Sequence, residues 1–145
     1  MRVPRIPDAD GNPAAVDWTK AAKVANRAPD SSTDWATVDG FPTEREIRGL
    51  IAHDGKYLYL TLSEERFEAT GLLASDKIEK DDTWEIYIAK ERGREKPFRR
   101  ISVNPHWKML AQSFFQNGND WDIGASAKSE VTGNRWTLIL ALPLE

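Results

Sequence analysis

The stretch Glu46–Glu65, EIRGLIAHDGKYLYLTLSEE, sets two apolar-rich runs on either side of Asp54-Gly55. Asp-Gly accepts the positive backbone angles of a tight hairpin turn, so the two runs read as neighbouring antiparallel strands. In the second run Leu58, Leu60 and Leu62 alternate with Tyr57, Tyr59, Thr61 and Ser63. Side chains in a strand repeat every two residues, which assigns the leucines to a core face and the tyrosines to the opposite one. His53, just before the dipeptide, reads as a turn residue.

Downstream, short strand-like segments follow one another between turn signals: TWEIYIAK, FRRISVN, WKMLAQSFF, DIGASAKSE and RWTLILALP, with breaks at Asn104-Pro105, QNGND and TGN. Arg66–Lys80 reads as a loop or short helix. Upstream, WTKAAKVANRA (Trp18–Ala28) has helix-favouring alanine and lysine but no continuous apolar stripe, and predicts at most one short helical turn. Pro29–Gly40 is turn chemistry with Trp35 embedded. About seven short strands at this spacing predict an all-β fold, an antiparallel β-sandwich with immunoglobulin-like or jelly-roll-like layers. With 145 residues, the chain has the length of a single domain, expected to span 1–145.

Twenty basic and 23 acidic residues leave a net charge of -3, and the basic residues cluster only in the mixed-sign run ERGREKPFRR. A surface that displaces counterions from phosphates needs an excess of cations, so nucleic acid is not the expected partner. The absence of cysteine excludes thiol catalysis, cysteine-ligated zinc and disulfides. No run approaches the roughly 18 consecutive apolar residues of a membrane span, and MRVPRIPDADGNP has no apolar stretch of the kind a signal peptide carries.

In Asp81–Lys90, DDTWEIYIAK, alternation places Trp84, Ile86 and Ile88 on one face and Thr83, Glu85 and Tyr87 on the other. The first set reads as core. The second pairs a carboxylate with a phenol where neither has a packing role. Arg100, in phase with Ser102 and Asn104, is the cation able to share that face; its bland reading is a cross-strand ion pair. Trp84 and Trp136 alternate with aliphatic residues and read as core, Trp18 as a packing residue, and Trp35, Trp107 and Trp121 lie in or beside turns.

The order of these pieces resembles the family 9 carbohydrate-binding modules, within the superfamily of β-sandwiches that includes DOMON-type domains. VDWTKAAKV is similar to the family's early tryptophan and Ala-rich segment, and Thr43–Glu65 to its first hairpin. DDTWEIYIAK resembles its Asp-Ser-Val-Glu-Ile-Phe stretch, RRISVNP its strand ending in Val-Asn, and RWTLILALPLE its late strand. The resemblance implies that Glu85 contacts a sugar. The chain departs from the pattern at Glu79, where the family's best-known sugar binder has a stacking tryptophan, at Ser102, where it has arginine, and at Ile139, where many relatives have glutamate. The family's last strand has no counterpart after Leu144-Glu145.

Sugar recognition needs flat apolar faces for the C–H side of a pyranose and planar polar groups for its hydroxyls. The expected ligand-binding set is therefore Glu85, Tyr87, Arg100, Ser102 and Asn104, rimmed by Trp107 and Trp121, in a non-catalytic carbohydrate-binding domain. The resemblance further implies an accessory domain of a longer, exported bacterial polypeptide, extracellular or periplasmic. The alternative is a protein-interaction or structural sandwich that has lost the sugar site. Relatives in the superfamily also bind haem through Met with His or Lys, and Met109 near His106 and Lys108 is the local cluster of that kind. Calcium, which sugar-binding relatives carry, would find hard oxygen ligands at Asp81 and Asp82 or around Asp120 and Asp122. No nucleophile elbow, phosphate loop or zinc-binding histidine pair is present, so an enzyme is not expected.

Overall fold

Residues 2–24, 46–65, 71–89, 98–113, 119–120 and 124–144 are described in the structure, a computed structural model. Among them run β1 (Ala22–Lys23), β2 (Ile47–His53), β3 (Tyr57–Glu65), β4 (Trp84–Ala89), β5 (Phe98–Val103), β6 (Met109–Ser113), β7 (Asn119–Asp120), β8 (Ser126–Thr132) and β9 (Arg135–Pro143). One sheet has the order β1-β2-β3-β9-β8 and the other β4-β5-β6-β7, with every strand pair antiparallel. The expected antiparallel, all-β architecture is present. Helical structure among these residues is limited to single 3-10 turns at Pro13–Ala15, Trp18–Lys20 and Ile78–Lys80.

The pleat decides what fills the space between the sheets. Leu60 and Leu62 of β3 pair in register with Leu140 and Leu138 of β9, so one face of the larger sheet carries a row of leucines. The smaller sheet contributes Trp84, Ile101 and Val103, with Ile86, Ile88 and Met109 packed against them. Trp84 and Trp136 meet across the gap with ring centroids 5.6 Å apart and planes tilted by 43°. The Trp136 indole N–H finds its partner in the buried Ser129 hydroxyl at 2.8 Å, so this large ring is buried without stranding its donor.

The second face of the larger sheet is not left to solvent, contrary to what alternation in β3 suggests. Tyr59 is fully buried there, together with Ile6, Ala9, Val16, Ala52 and Ala141, and Trp18 and Tyr57 pack against this second cluster. The N-terminal segment lies over the sheet and is tied to β2 by Ile6 N–H to His53 O (2.8 Å) and His53 N–H to Pro4 O (3.0 Å). Trp18 is thus a packing residue, as expected. His53 differs from its reading as a turn residue: it ends β2 and bridges Arg5.

Asp54 joins the two parts. Gly55, at φ +104°, makes the expected tight turn, and the Asp54 carboxylate accepts from Lys56 N–H (2.8 Å), Tyr57 N–H (2.8 Å), Ala9 N–H (3.2 Å) and the Tyr59 hydroxyl (2.6 Å). The Tyr59 oxygen in turn accepts from Gly11 N–H at 2.9 Å. Gly11 has φ +76°, and a Cβ there would come within 2.9 Å of the Tyr57 ring, so the close approach of segment to sheet needs glycine. Burial pushes the Asp54 carboxyl up, but these bonds outweigh it and hold the group well below the usual carboxylate range. The Tyr59 phenol is pushed up to about 12, first by burial and then by the bond it donates to Asp54.

Replacing Asp54 by Asn should destabilise the fold at neutral pH by about 3 kcal/mol, the scale of hydrogen bonds to a charged acceptor. Because the folded value is depressed, this contribution is complete above the unfolded carboxylate value near pH 4 and is lost as pH falls toward the folded value. Urea unfolding of both proteins should show a gap that is constant from about pH 7 to 5 and shrinks below about pH 4. A gap that widens on acidification contradicts this role.

Candidate ligand-binding face

The register of the smaller sheet sets the polar face. Trp84 pairs with Val103 and Ile86 with Ile101 on the core side, so Glu85 sits opposite Ser102 and Tyr87 opposite Arg100 on the outer side. Across β5, Arg100 pairs with Gln112 and Ser102 with Leu110. Four predicted residues, Glu85, Tyr87, Arg100 and Ser102, therefore share one face.

Three of them are physically linked. The Tyr87 hydroxyl donates to Glu85 Oε2 at 2.6 Å, while Arg100 Nη1 lies 3.5 Å from Glu85 Oε1. The second guanidinium nitrogen of Arg100 donates to Gln112 Oε1. The Tyr87 phenol is held above its ordinary value, first by desolvation and then by its bond to Glu85, so it remains a hydrogen-bond donor through the neutral range. The cross-strand ion pair anticipated for Arg100 exists, and it belongs to a network rather than standing alone. Gln112 was missed in the sequence, although alternation along β6 from Leu110 would have put it on this face.

The side chains at the centre of the face are largely covered. The Glu85 and Arg100 side chains are only 21% and 27% exposed, and Ser102 only 4%, whereas Tyr87 is 56% exposed. An exposed tyrosine therefore adjoins a largely covered carboxylate and guanidinium.

Asn104 departs from the expectation that it touches ligand. It is fully buried, and its carboxamide is saturated: Oδ1 accepts from the N–H groups of His106 and Lys108, each at 3.0 Å, and Nδ2 donates to Asp81 Oδ2 (2.9 Å) and Ser75 O (3.4 Å). The Asn-Pro break ends the strand one residue early and turns this side chain inward to the loops. Asp81 and Asp82 are likewise engaged. Asp81 accepts from Ser75 N–H (2.9 Å) and hydroxyl (2.7 Å), and Asp82 from Leu73 N–H (2.8 Å). Desolvation raises Asp81, and the bonds from Ser75 and Asn104 more than offset it, so its value lies below the ordinary one. Among the described residues no group of three or more acidic or histidine side chains converges as a metal site would require.

Trp107 lies outside the strand expected from WKMLAQSFF, in the loop before β6, 63% exposed and with φ +62°. Lys108 reaches back to the Asp76 carbonyl, and Met109 packs on the core between the sheets, which leaves the His106, Lys108 and Met109 cluster without a common direction. Glu79, at the family's tryptophan position, is exposed on the 3-10 turn Ile78–Lys80. Trp35, Trp121 and Asp122 lie outside the described residues, as does the side chain of Asp120.

No protein-family model matches the chain, and no curated protein matches it in sequence. Among solved structures it is similar to a "putative carbohydrate-binding protein" from Bacteroides uniformis ATCC 8492, with a TM-score of 0.65 and 14% identity over 99% of this chain and 72% of that one. The two share a fold. Among the described residues no helix is long and apolar enough to cross a membrane.

The left-handed backbone at Trp107 yields a direct test. An L-residue there costs about 1–2 kcal/mol that glycine does not incur. Trp107→Gly should therefore unfold at higher denaturant than Trp107→Ala by about 1 kcal/mol, the reverse of the usual order of the two residues. Equal stabilities, or a more stable alanine variant, would remove the strain from the account.

Proposed function

We propose that this domain binds carbohydrate without catalysis, through the outer face of β4, β5 and β6. The observation that carries the reading is the linked set Glu85, Tyr87, Arg100 and Gln112, which presents a carboxylate acceptor, guanidinium and amide donors and one exposed aromatic residue on a single sheet face. A pyranose offers the matching chemistry: neighbouring hydroxyls that both donate and accept, and an apolar C–H face. The Glu85 to Arg100 distance of 3.5 Å is loose for a charge-assisted bond, and a hydroxyl that accepts from one and donates to the other would tighten both contacts. The fold shared with a protein described as carbohydrate-binding supports the same reading.

Glycoside hydrolysis would use two carboxylates flanking the scissile bond. Glu85 is the one acidic residue within β4, β5 and β6, which fits recognition rather than cleavage. The finer proposal is a family 9-like accessory module of an exported protein. In that module Asp81 and Asp82 hold the loops through their bonds to Ser75, Asn104 and Leu73. The burial of Asn104, a residue expected to touch the sugar, favours a second reading, a sandwich that keeps the architecture and uses the face for protein contacts.

Titration of intrinsic tryptophan fluorescence with a panel of neutral mono- and oligosaccharides tests the proposal. Saturable binding to one sugar class is expected, weakened by about 1.5–3 kcal/mol in Glu85→Ala, or about 10- to 150-fold in affinity. Glu65→Gln, on the other sheet, should leave it unchanged. No response to any sugar from the folded protein would favour the protein-contact reading.

A further inference from the structure

The β5–β6 connection contains a residue that its geometry does not ask for. Trp107 N–H donates to Asn104 O at 3.0 Å, closing a turn with Pro105 in second place, and Asn104 N–H donates to Lys108 O at 3.1 Å. This is a three-residue hairpin loop, Pro105-His106-Trp107, ending in a left-handed residue. Hairpins of this length place glycine at that point because a side chain there is strained. Here the position holds the largest side chain available, and packing does little to compensate for it, since the residue is 63% exposed.

The strain is sustained by Asn104. Its Oδ1 takes the N–H on each side of Trp107, those of His106 and Lys108, while Nδ2 anchors the loop to Asp81 and the Ser75 carbonyl. Asp81 is itself fixed by Ser75, and Lys108 Nζ is tied to Asp76. The backbone of Trp107 is thus gripped from both neighbours by one buried carboxamide that has no capacity left for a ligand. Asn104 lies two residues beyond Ser102, about 7 Å along the strand direction, at the same end of the sheet as Glu85.

We infer that Asn104 is a positioning residue that holds Trp107 as a preformed aromatic platform at the edge of the Glu85 face. Strained backbone that the surroundings over-determine, carrying an exposed ring, is the arrangement of a built contact rather than of a passive turn. The platform would stack on the apolar face of a sugar ring whose hydroxyls engage Glu85 and Arg100, and in this respect the inference rests on the carbohydrate reading above. It replaces direct contact by Asn104 with an action through Trp107.

Two readouts separate the inference from that reading. In protein labelled with 5-fluorotryptophan, the Trp107 signal is the one of six lost in Trp107→Phe. Without ligand, its linewidth in the native protein should match those of the buried tryptophans and fall about twofold in Asn104→Ala as the ring becomes mobile, with the others unchanged. Should Asn104→Ala fail to fold, Asn104→Ser, which keeps a polar group in the buried site but is too short to accept from both the His106 and Lys108 N–H groups, reads the same quantity. For the sugar found in the panel, the Asn104 variant should bind about fivefold to tenfold more weakly, and Trp107→Ala should bind equally weakly with no further loss in the double variant. A Trp107 ring already as mobile in the native protein, or an Asn104 effect that persists in the Trp107→Ala background, overturns the inference. A ring that depends on Asn104 in a protein that binds no sugar sustains the positioning role and removes the carbohydrate reading instead.

Discussion

The position of Trp84 in the core fixes what the rest of β4 can do. Its ring, 5.6 Å from that of Trp136, joins the two sheets, and a strand that commits one residue to the interior commits every second residue with it. Ile86 and Ile88 follow it inward; Glu85 and Tyr87 are sent out. A slip of β4 by one residue against β5 would carry the Glu85 carboxylate and the Tyr87 phenol into a core of leucine, isoleucine and valine, a cost of several kcal/mol for the charge alone. Hydrophobic packing therefore specifies the register of a polar network that contributes little to the core itself.

The same economy appears at the opposite end of the larger sheet. A hairpin turn needs Gly55 for its backbone angle and Asp54 to satisfy the adjoining N–H groups, which is local chemistry. Because the carboxylate has further lone pairs, it also receives Ala9 and Tyr59, and the turn becomes the attachment point for the N-terminal segment. Tyr59 then exchanges a solvated face for a buried one, with its hydroxyl held between Asp54 and Gly11. The larger sheet is thus covered on both faces at this end, and the outer face of the smaller sheet holds the linked polar set.

Sequence alone made the hairpin, the inward set Trp84, Ile86 and Ile88, and the shared face of Glu85, Tyr87, Arg100 and Ser102 legible, because each follows from alternation within one strand or one pair. What was not legible depended on segments distant in the chain. Tyr59 reads as outward until residues 6–16 fold over it. Asn104 reads as the last residue of a strand face, and its burial follows from loops around Ser75 and Asp81 that alternation does not describe. Trp107 is recognisable as a turn residue, but nothing in Asn-Pro-His-Trp-Lys announces a left-handed backbone. Gln112 was within reach of the same alternation that found Glu85 and went unread because its strand carried no family signal.

The central claim is that the outer face of β4, β5 and β6 is where a sugar is held. The most direct measurement is a crystal structure of the domain soaked with the oligosaccharide that binds it. The account predicts a pyranose within hydrogen-bond distance of Glu85 and Arg100 and against the Tyr87 ring, with Trp107 unmoved. A sugar bound on the larger sheet, or at a loop cluster away from Glu85, would contradict it.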